Sequence, residues 1–213
     1  MKWRRSRRET LNRPWRDVEY AVVDLELTGL DLVRDSILAY GITSIRGGRI
    51  IARDNAYGLS CPDSDICAAA IAVHTLRRID VADAPKPEAL AHTLADLLAR
   101  RVVVAHSAWV ERAFLDTTLK RIDQRFRAPM IDTAAMCRAL GLDPDAVADP
   151  RLEWVADKLN VPVVAPHHAL GDAVTTAHVF LAAAAHLEQR GYTTAQAFLD
   201  LTGGDRHSRA TRY

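Results

Sequence analysis

The sequence predicts a single mixed α/β domain, with a central sheet and helices on both of its faces. Three β-rich segments follow one another near the start, and the second and third are separated by Gly47-Gly48, a two-residue hairpin signal. Further on, the short apolar run Val102-Val103-Val104-Ala105 lies between segments of helical periodicity, as expected of a strand buried on both faces. Hairpin-linked strands run antiparallel and strands reached through helical crossovers run parallel, so the sheet is expected to be mixed. Periodicity alone carries the reading no further than this.

The elements follow in order. Glu19–Leu27 is rich in Val and Leu and reads as a central strand, followed by Ile37–Arg46 and Arg49–Tyr57 as the rest of an antiparallel meander. Asp65–Val73 has helical character. Pro85 and Pro87 break the chain before Glu88–Arg100, where Leu90, Leu94, Leu97 and Leu98 recur at helical spacing. After the Val102–Ala105 strand, Ala108–Ile122 is an amphipathic helix with Phe114 and Leu115 toward the core. Trp109 is expected to face the core too, although an aromatic there could stack on a base. Met130-Ile131 is the last short strand, before a helix through Leu140. A Pro/Asp-rich loop, Leu142–Pro150, leads to a helix near Leu152–Leu159. Val161–Pro166 is extended, His168–Gln189 is a long helix stopped by Gly191, and a small helix near Ala195–Leu201 precedes Gly203-Gly204.

The 213 residues suit one compact domain with extensions: a basic arm over 1–17, the domain over 18–202 and a tail over 203–213. Charge is segregated along the chain. Residues 1–16 carry seven cations and one acid and residues 203–213 three and one, which leaves 18 bases against 25 acids between them. Basic ends can capture a polyanion or simply solvate the chain, and an acidic body can host cations. Cys61, Cys67 and Cys137 form no C-x-x-C pair and leave one over under any pairing, which speaks for a reducing compartment without a disulfide framework. No stretch reads as apolar for long enough to span a bilayer, and the N-terminus lacks the apolar segment of a secretory signal, so no membrane partner and a cytoplasmic location are expected.

Three segments carry candidate chemistry. Asp24 and Glu26 stand two apart on a strand, so they project from the same face of a segment otherwise built to be buried. Paired carboxylates there repel and are costly to desolvate, a conflict that Mg²⁺ or Mn²⁺ resolves. On its own the pair is equally a strand end whose acids reach solvent. Glu111 falls in the first turns of the helix after Val102–Ala105, where an acid also suits a helix N-terminus. His106, at the end of that strand, reads as a packed or hydrogen-bonded residue as well as a candidate contact. In His167-His168-Ala169-Leu170-Gly171-Asp172, Asp172 sits in the first turns of the long helix and His167 just outside it. A histidine there can take a proton from a metal-activated water.

The order of these segments resembles the DEDDh 3′–5′ exonucleases, which include the proofreading epsilon subunit of bacterial DNA polymerase III, ribonuclease T and oligoribonuclease. Asp24, Glu26, Thr28 and Gly29 match the family's D-x-E-x-T-G motif. His106-Ser107-Ala108-Trp109-Val110-Glu111 stands in place of H-N-a-x-F-D, and His167, Ala169, Asp172 and Ala173 match H-x-A-x-x-D-A at full spacing. Met130-Ile131-Asp132-Thr133 is similar to the segment between the last two motifs, and the likeness covers roughly residues 18–190. Glu111 departs from the usual Asp, and Leu27 from a common Thr.

The resemblance implies a ribonuclease H-like, five-stranded mixed sheet. It also implies two divalent ions, Mg²⁺ or Mn²⁺, held by Asp24, Glu26, Glu111 and Asp172, with His167 as general base and Leu27, Thr28, Gly29, His74 and His106 near the substrate. The implied reaction releases nucleoside 5′-monophosphates from nucleic acid with a free 3′ end, DNA favoured over RNA. Short RNA is the alternative substrate, and a non-catalytic nucleic-acid-binding polymerase accessory the alternative role. A DNA polymerase or a sliding clamp is the implied partner, the latter through Gln196–Leu201, which is faintly similar to a clamp-binding peptide and reads equally as an ordinary amphipathic helix.

Overall fold

A computed structural model describes residues 8–142 and 148–203. Residues 1–7 of the basic arm, most of the Leu142–Pro150 loop and the tail from residue 204 lie outside the described residues. The strands are β1 (Tyr20–Leu27), β2 (Ile37–Arg46), β3 (Arg49–Leu59), β4 (Val102–Ala105) and β5 (Met130–Asp132). The helices are α1 (Ala68–His74), α2 (Pro87–Leu98), α3 (Trp109–Lys120), α4 (Thr133–Ala139), α5 (Leu152–Lys158), α6 (Ala169–Gln189) and α7 (Ala195–Gly203).

The five strands form one sheet in the order β3-β2-β1-β4-β5. β1 and β2, and β2 and β3, pair antiparallel, while β1 with β4 and β4 with β5 pair parallel. The expected meander and crossovers are both present, and Gly47 and Gly48 make the β2–β3 turn with φ of 58° and 68°. β1 is central, and its alternating side chains feed two cores. Tyr20 and Val22 pack with Trp15, Phe180 and Phe198 on the α6 face, and Ala21, Val23 and Leu25 pack with Leu94, Phe114 and Leu115 on the α2/α3 face. By the same alternation Asp24 and Glu26 belong to the α6 face.

Four expectations change. Residues 8–17 of the arm are part of the packed body: Leu11 and Trp15 are buried, the Trp15 amide donates to the Thr193 carbonyl at 2.9 Å, and the Trp15 ring meets Phe180 edge-on. An aromatic in a basic stretch can anchor it, which a charge count does not show. Trp109 is 58% exposed rather than core-facing. The buried stripe of α3 is Glu111, Phe114, Leu115, Thr118 and Leu119, and Trp109 precedes Glu111 by two residues, about 200° around the helix.

The clamp-peptide reading of Gln196–Leu201 fails, because Phe198 is wholly buried against Trp15 and Phe180 and is not available to a partner. Finally, α6 is long and apolar enough to cross a membrane by length and composition, contrary to the expectation that no stretch is. Its Val179, Phe180, Ala183, Ala184 and Leu187 are fully buried within the fold, as in the core helix of a globular domain.

Candidate active site

Three elements converge at the carboxyl ends of β1 and β4. β1 presents Asp24 and Glu26, α3 brings Glu111 in from the end of β4, and α6 starts across the sheet face with Asp172 in its first turn. The close approach of α6 depends on Gly41, which pairs with Asp24 across β1 and β2. A Cβ at Gly41 would lie 2.2 Å from the backbone of Ala169 and Leu170, so a larger residue would push the helix start away from the sheet. A glycine inside a strand weakens it, and its usual meaning is such a backbone approach.

Oxygens of Asp24, Glu26 and Asp172 all lie within 4.8 Å of one another, a spacing that could hold a metal ion. Glu111 stands outside this trio, yet it is the strongest charged neighbour of Asp24. All four are shifted upward, chiefly by loss of water. Asp24 is raised well above the ordinary carboxylate range by burial, then by the charges of Glu111, Asp172 and Glu26. Burial, then Asp172, pushes Glu26 up to about 7. Burial pushes Glu111 up to about 8 even though its own backbone amide favours the anion. Asp172 rises to about 6 by burial, held back by the His167 amide that donates to its Oδ2 at 2.9 Å.

Among the described residues, no Lys or Arg is among the charges that shift these four groups. Glu111 Oε2 and Asp172 Oδ1 are buried without a hydrogen-bond partner. Buried acceptors without donors are rare because each forfeits its hydration, and hard divalent cations favour such oxygens. The carboxylates present therefore fit a divalent ion.

The histidines divide by what holds them. His167 has a left-handed φ of 62°, a 43% exposed side chain and Nε2 3.8 Å from Glu153 Oε1 on α5. His168 stacks on the Tyr57 ring at 4.5 Å. Both ring nitrogens of His106 are taken up inside the protein, Nδ1 with Thr133 Oγ1 at 2.9 Å and Nε2 with the Pro150 carbonyl at 2.7 Å. Its pKa is lowered, first by burial. The same holds for His74. Its Nδ1 accepts from the Leu76 amide at 3.1 Å, which leaves Nε2 to donate to the Leu27 carbonyl at 3.2 Å. Neither His74 nor His106 offers a ring nitrogen to a substrate; each ties one segment to another.

Leu27 is 9% exposed at the end of β1. The Thr28 hydroxyl is fully buried, bonded to Asp35 Oδ1 at 2.9 Å and to the Ser36 amide at 3.1 Å. A Cβ at Gly29 would sit 2.4 Å from Asp35 Oδ2, so the turn after β1 closes tightly on that carboxylate. Asp132, Asp149 and Glu153 were not singled out from sequence as site residues. Asp132 and Asp149 raise Glu111, and Glu153 raises Asp172. They come together only through the sheet order, and no local spacing marks them.

A ribonuclease H-like sheet with a buried, metal-fitting carboxylate cluster at its carboxyl edge defines a class of phosphodiester-processing domains. The profile of the exonuclease family (RNase_T) matches residues 21–180, and the chain belongs to that family. It is 31% identical over 202 residues to a DNA polymerase III subunit epsilon-like protein of Rhodobacter capsulatus, covering 93% of this chain and 28% of the relative. It is 24% identical over 192 residues to the PolC-type DNA polymerase III of Bacillus cereus, covering 89% of this chain and 13% of that protein. The chain thus spans well under a third of these relatives' length. Among solved structures, exonuclease X in complex with 5′-overhanging duplex DNA superposes with a TM-score of 0.68 at 22% identity, covering 86% of this chain and 99% of that one. Escherichia coli exonuclease I with a dT13 oligonucleotide gives 0.69 at 13% identity, covering 82% and 42%.

Proposed function

We propose that this chain is a divalent-metal-dependent 3′–5′ exonuclease that trims single-stranded or frayed DNA 3′ ends and releases nucleoside 5′-monophosphates. The observation that carries the reading is the trio Asp24, Glu26 and Asp172 within 4.8 Å, with an unpartnered Asp172 oxygen, at the family's motif positions. Two ions, Mg²⁺ or Mn²⁺, would be held by these residues together with Glu111. When bound they supply Lewis-acid activation of the attacking water and offset the charge on the scissile phosphate.

The remaining work falls to the chain. His167, exposed beside Asp172, takes the proton of the attacking water on its imidazole. Glu153, 3.8 Å from His167 Nε2, restrains that ring. Water attacks the phosphorus of the terminal phosphodiester, the bond to the 3′ oxygen of the penultimate nucleotide breaks, that oxygen takes a proton from solvent, and the nucleoside 5′-monophosphate leaves. Leu27 and the Thr28-Gly29 backbone form the wall for the last nucleotide. His74 and His106 act by positioning, the first on the Leu27 carbonyl, the second on Thr133 and Pro150. DNA is favoured over RNA because the superposable exonuclease X and exonuclease I structures contain DNA, and the epsilon-like and PolC-type relatives suggest a DNA polymerase as partner.

The test uses 5′-labelled DNA and RNA oligonucleotides of matched sequence, single- and double-stranded, with Mg²⁺, Mn²⁺ or chelator. The reading expects a ladder shortening from the 3′ end of single-stranded DNA, fastest with metal and absent in chelator. Internal cuts, or equal cleavage in chelator, would overturn it.

A further inference from the structure

The three tryptophans among the described residues are held in different ways. Trp15 is buried against Phe180 and Phe198, and Trp154 carries the Lys158 ammonium 5.5 Å from its ring centre. Trp109 is 58% exposed, and among the described residues no ring, cation or hydrogen bond meets its indole. The corner after β4 sets its place. Val22 of β1 pairs with Val104 of β4, so His106, two residues further on, stands level with Asp24. Ser107 turns the chain with a left-handed φ of 55°, and α3 then begins at Trp109. Glu111, in the same helical turn, faces inward and is buried, whereas Trp109 projects about 200° away from it into solvent. Helical side chains lean toward the amino end of their helix, so the indole overhangs the β4–α3 corner beside the carboxylate cluster.

We propose that Trp109 is a substrate-binding residue that stacks on a base of single-stranded DNA upstream of the scissile phosphodiester, an inference that rests on the nuclease reading of the carboxylates. In that reading the last nucleotide lies against Leu27 and the Thr28-Gly29 backbone at the end of β1. β4 is the neighbouring strand, so a chain leaving that wall across β4 brings an upstream base over the α3 corner. An indole face attracts any base, so the contact anchors the strand without selecting its sequence. It needs a base with a free face, which a single strand or a frayed end offers and an intact duplex does not. The indole carries no charge, so the phosphates gain little from it and the rings gain most. A protein seated on Trp109 would cover the mouth of the cluster that the strand must reach, so the position favours the strand itself.

Fluorescence anisotropy in Mg²⁺ tests it with a fluorescein-labelled oligothymidylate whose 3′-terminal linkages are phosphorothioates, which slow trimming. A strand of the same length with abasic sites upstream of the last nucleotide keeps the backbone charge and removes the rings. The variants are Trp109→Ala and Trp109→Phe, and unchanged melting temperatures show that both fold. Trp109→Ala is expected to bind oligothymidylate about tenfold more weakly than the wild type, and Trp109→Phe to recover most of that loss. The abasic strand is expected to bind all three proteins alike. Equal oligothymidylate binding by the wild type and Trp109→Ala would overturn the proposal. So would an equal loss on the abasic strand, which would make Trp109 a scaffold residue. Hydrolysis of the p-nitrophenyl ester of thymidine 5′-monophosphate by the wild type reports the active site separately. If the wild type cleaves this ester and Trp109→Ala leaves strand binding unchanged, the stacking alone is overturned. If the wild type neither cleaves the ester nor binds the strand, the nuclease reading and the stacking fall together.

Discussion

The two ends of the sheet treat charge in opposite ways. At the carboxyl end, Asp24, Glu26, Glu111 and Asp172 are crowded into low-dielectric surroundings, and among the described residues no Lys or Arg is among the charges that shift them. At the amino end, four arginines, Arg100, Arg101, Arg125 and Arg127, stand around a groove, and one of them, Arg125, pairs with Asp116 at 3.6 Å. Exposed arginines remain hydrated, so they cost the fold little and attract partners through a field that salt screens. Buried carboxylates are costly until a cation arrives, which makes them a demanding and selective site. The same scaffold therefore keeps its carboxylate cluster where charge is expensive and its arginines where charge is cheap.

The largest effects should come from breaking the carboxyl end. Asp172→Asn is expected to lower the trimming rate by about 10³-fold, the scale set by removing one preorganised electrostatic partner from a reacting centre. The same change should raise the melting temperature of the metal-free protein at pH 8, because it deletes a buried negative charge. A variant that lost activity and also lost metal-free stability would contradict this picture. His167→Ala is expected to slow trimming by about 10²-fold through loss of general-base help, without weakening Mn²⁺ binding.

Gly41→Ala probes the scaffold. The added methyl meets backbone at 2.2 Å, so a destabilisation of about 1–3 kcal/mol is expected in chemical denaturation, accompanied by lost activity as Asp172 moves off β1. The smallest effect is a pH trend. Asp172, Glu26 and Glu111 hold their protons up to about 6, 7 and 8 when folded, above their ordinary values of 3.8, 4.5 and 4.5. Across that window the folded chain binds more protons than the unfolded one, so stability falls as pH rises. In chelator the melting temperature should drop between about pH 5 and pH 8, and saturating Mg²⁺ or Mn²⁺ should flatten the drop. A melting temperature that rises across the same range in chelator would contradict the shifts.

Much of this site was legible in the sequence, for a physical reason. Period-2 and period-3.6 patterns locate Asp24 and Glu26 on one strand face and Asp172 in a helix's first turn, and the motif order joins them into one site. What stayed hidden depends on packing between segments distant in sequence. Gly41 acquires its role only when α6 lies on β2, and Asp132, Asp149 and Glu153 meet the carboxylates only through the parallel β4–β5 edge and the helices that follow it. A large aromatic normally goes inward, but Trp109 lies outside because α3 devotes its inner stripe to Glu111, Phe114, Leu115, Thr118 and Leu119. Phe198 was open to a partner-binding reading because its buried contacts, Trp15 and Phe180, lie far away in sequence. His74 and His106 look like candidate ligands in one dimension. Only their hydrogen bonds show that both rings are committed within the protein.

The central claim is that the buried carboxylates are a divalent-cation site. Electron paramagnetic resonance of Mn²⁺, titrated into the full chain near neutral pH, measures this directly with wild type, Asp24→Asn and Asp172→Asn. The account predicts that wild type removes free Mn²⁺ signal with two ions bound, that either variant loses at least one of them, and that Mg²⁺ competes. Equal Mn²⁺ uptake by all three proteins, or none by the wild type, would contradict it.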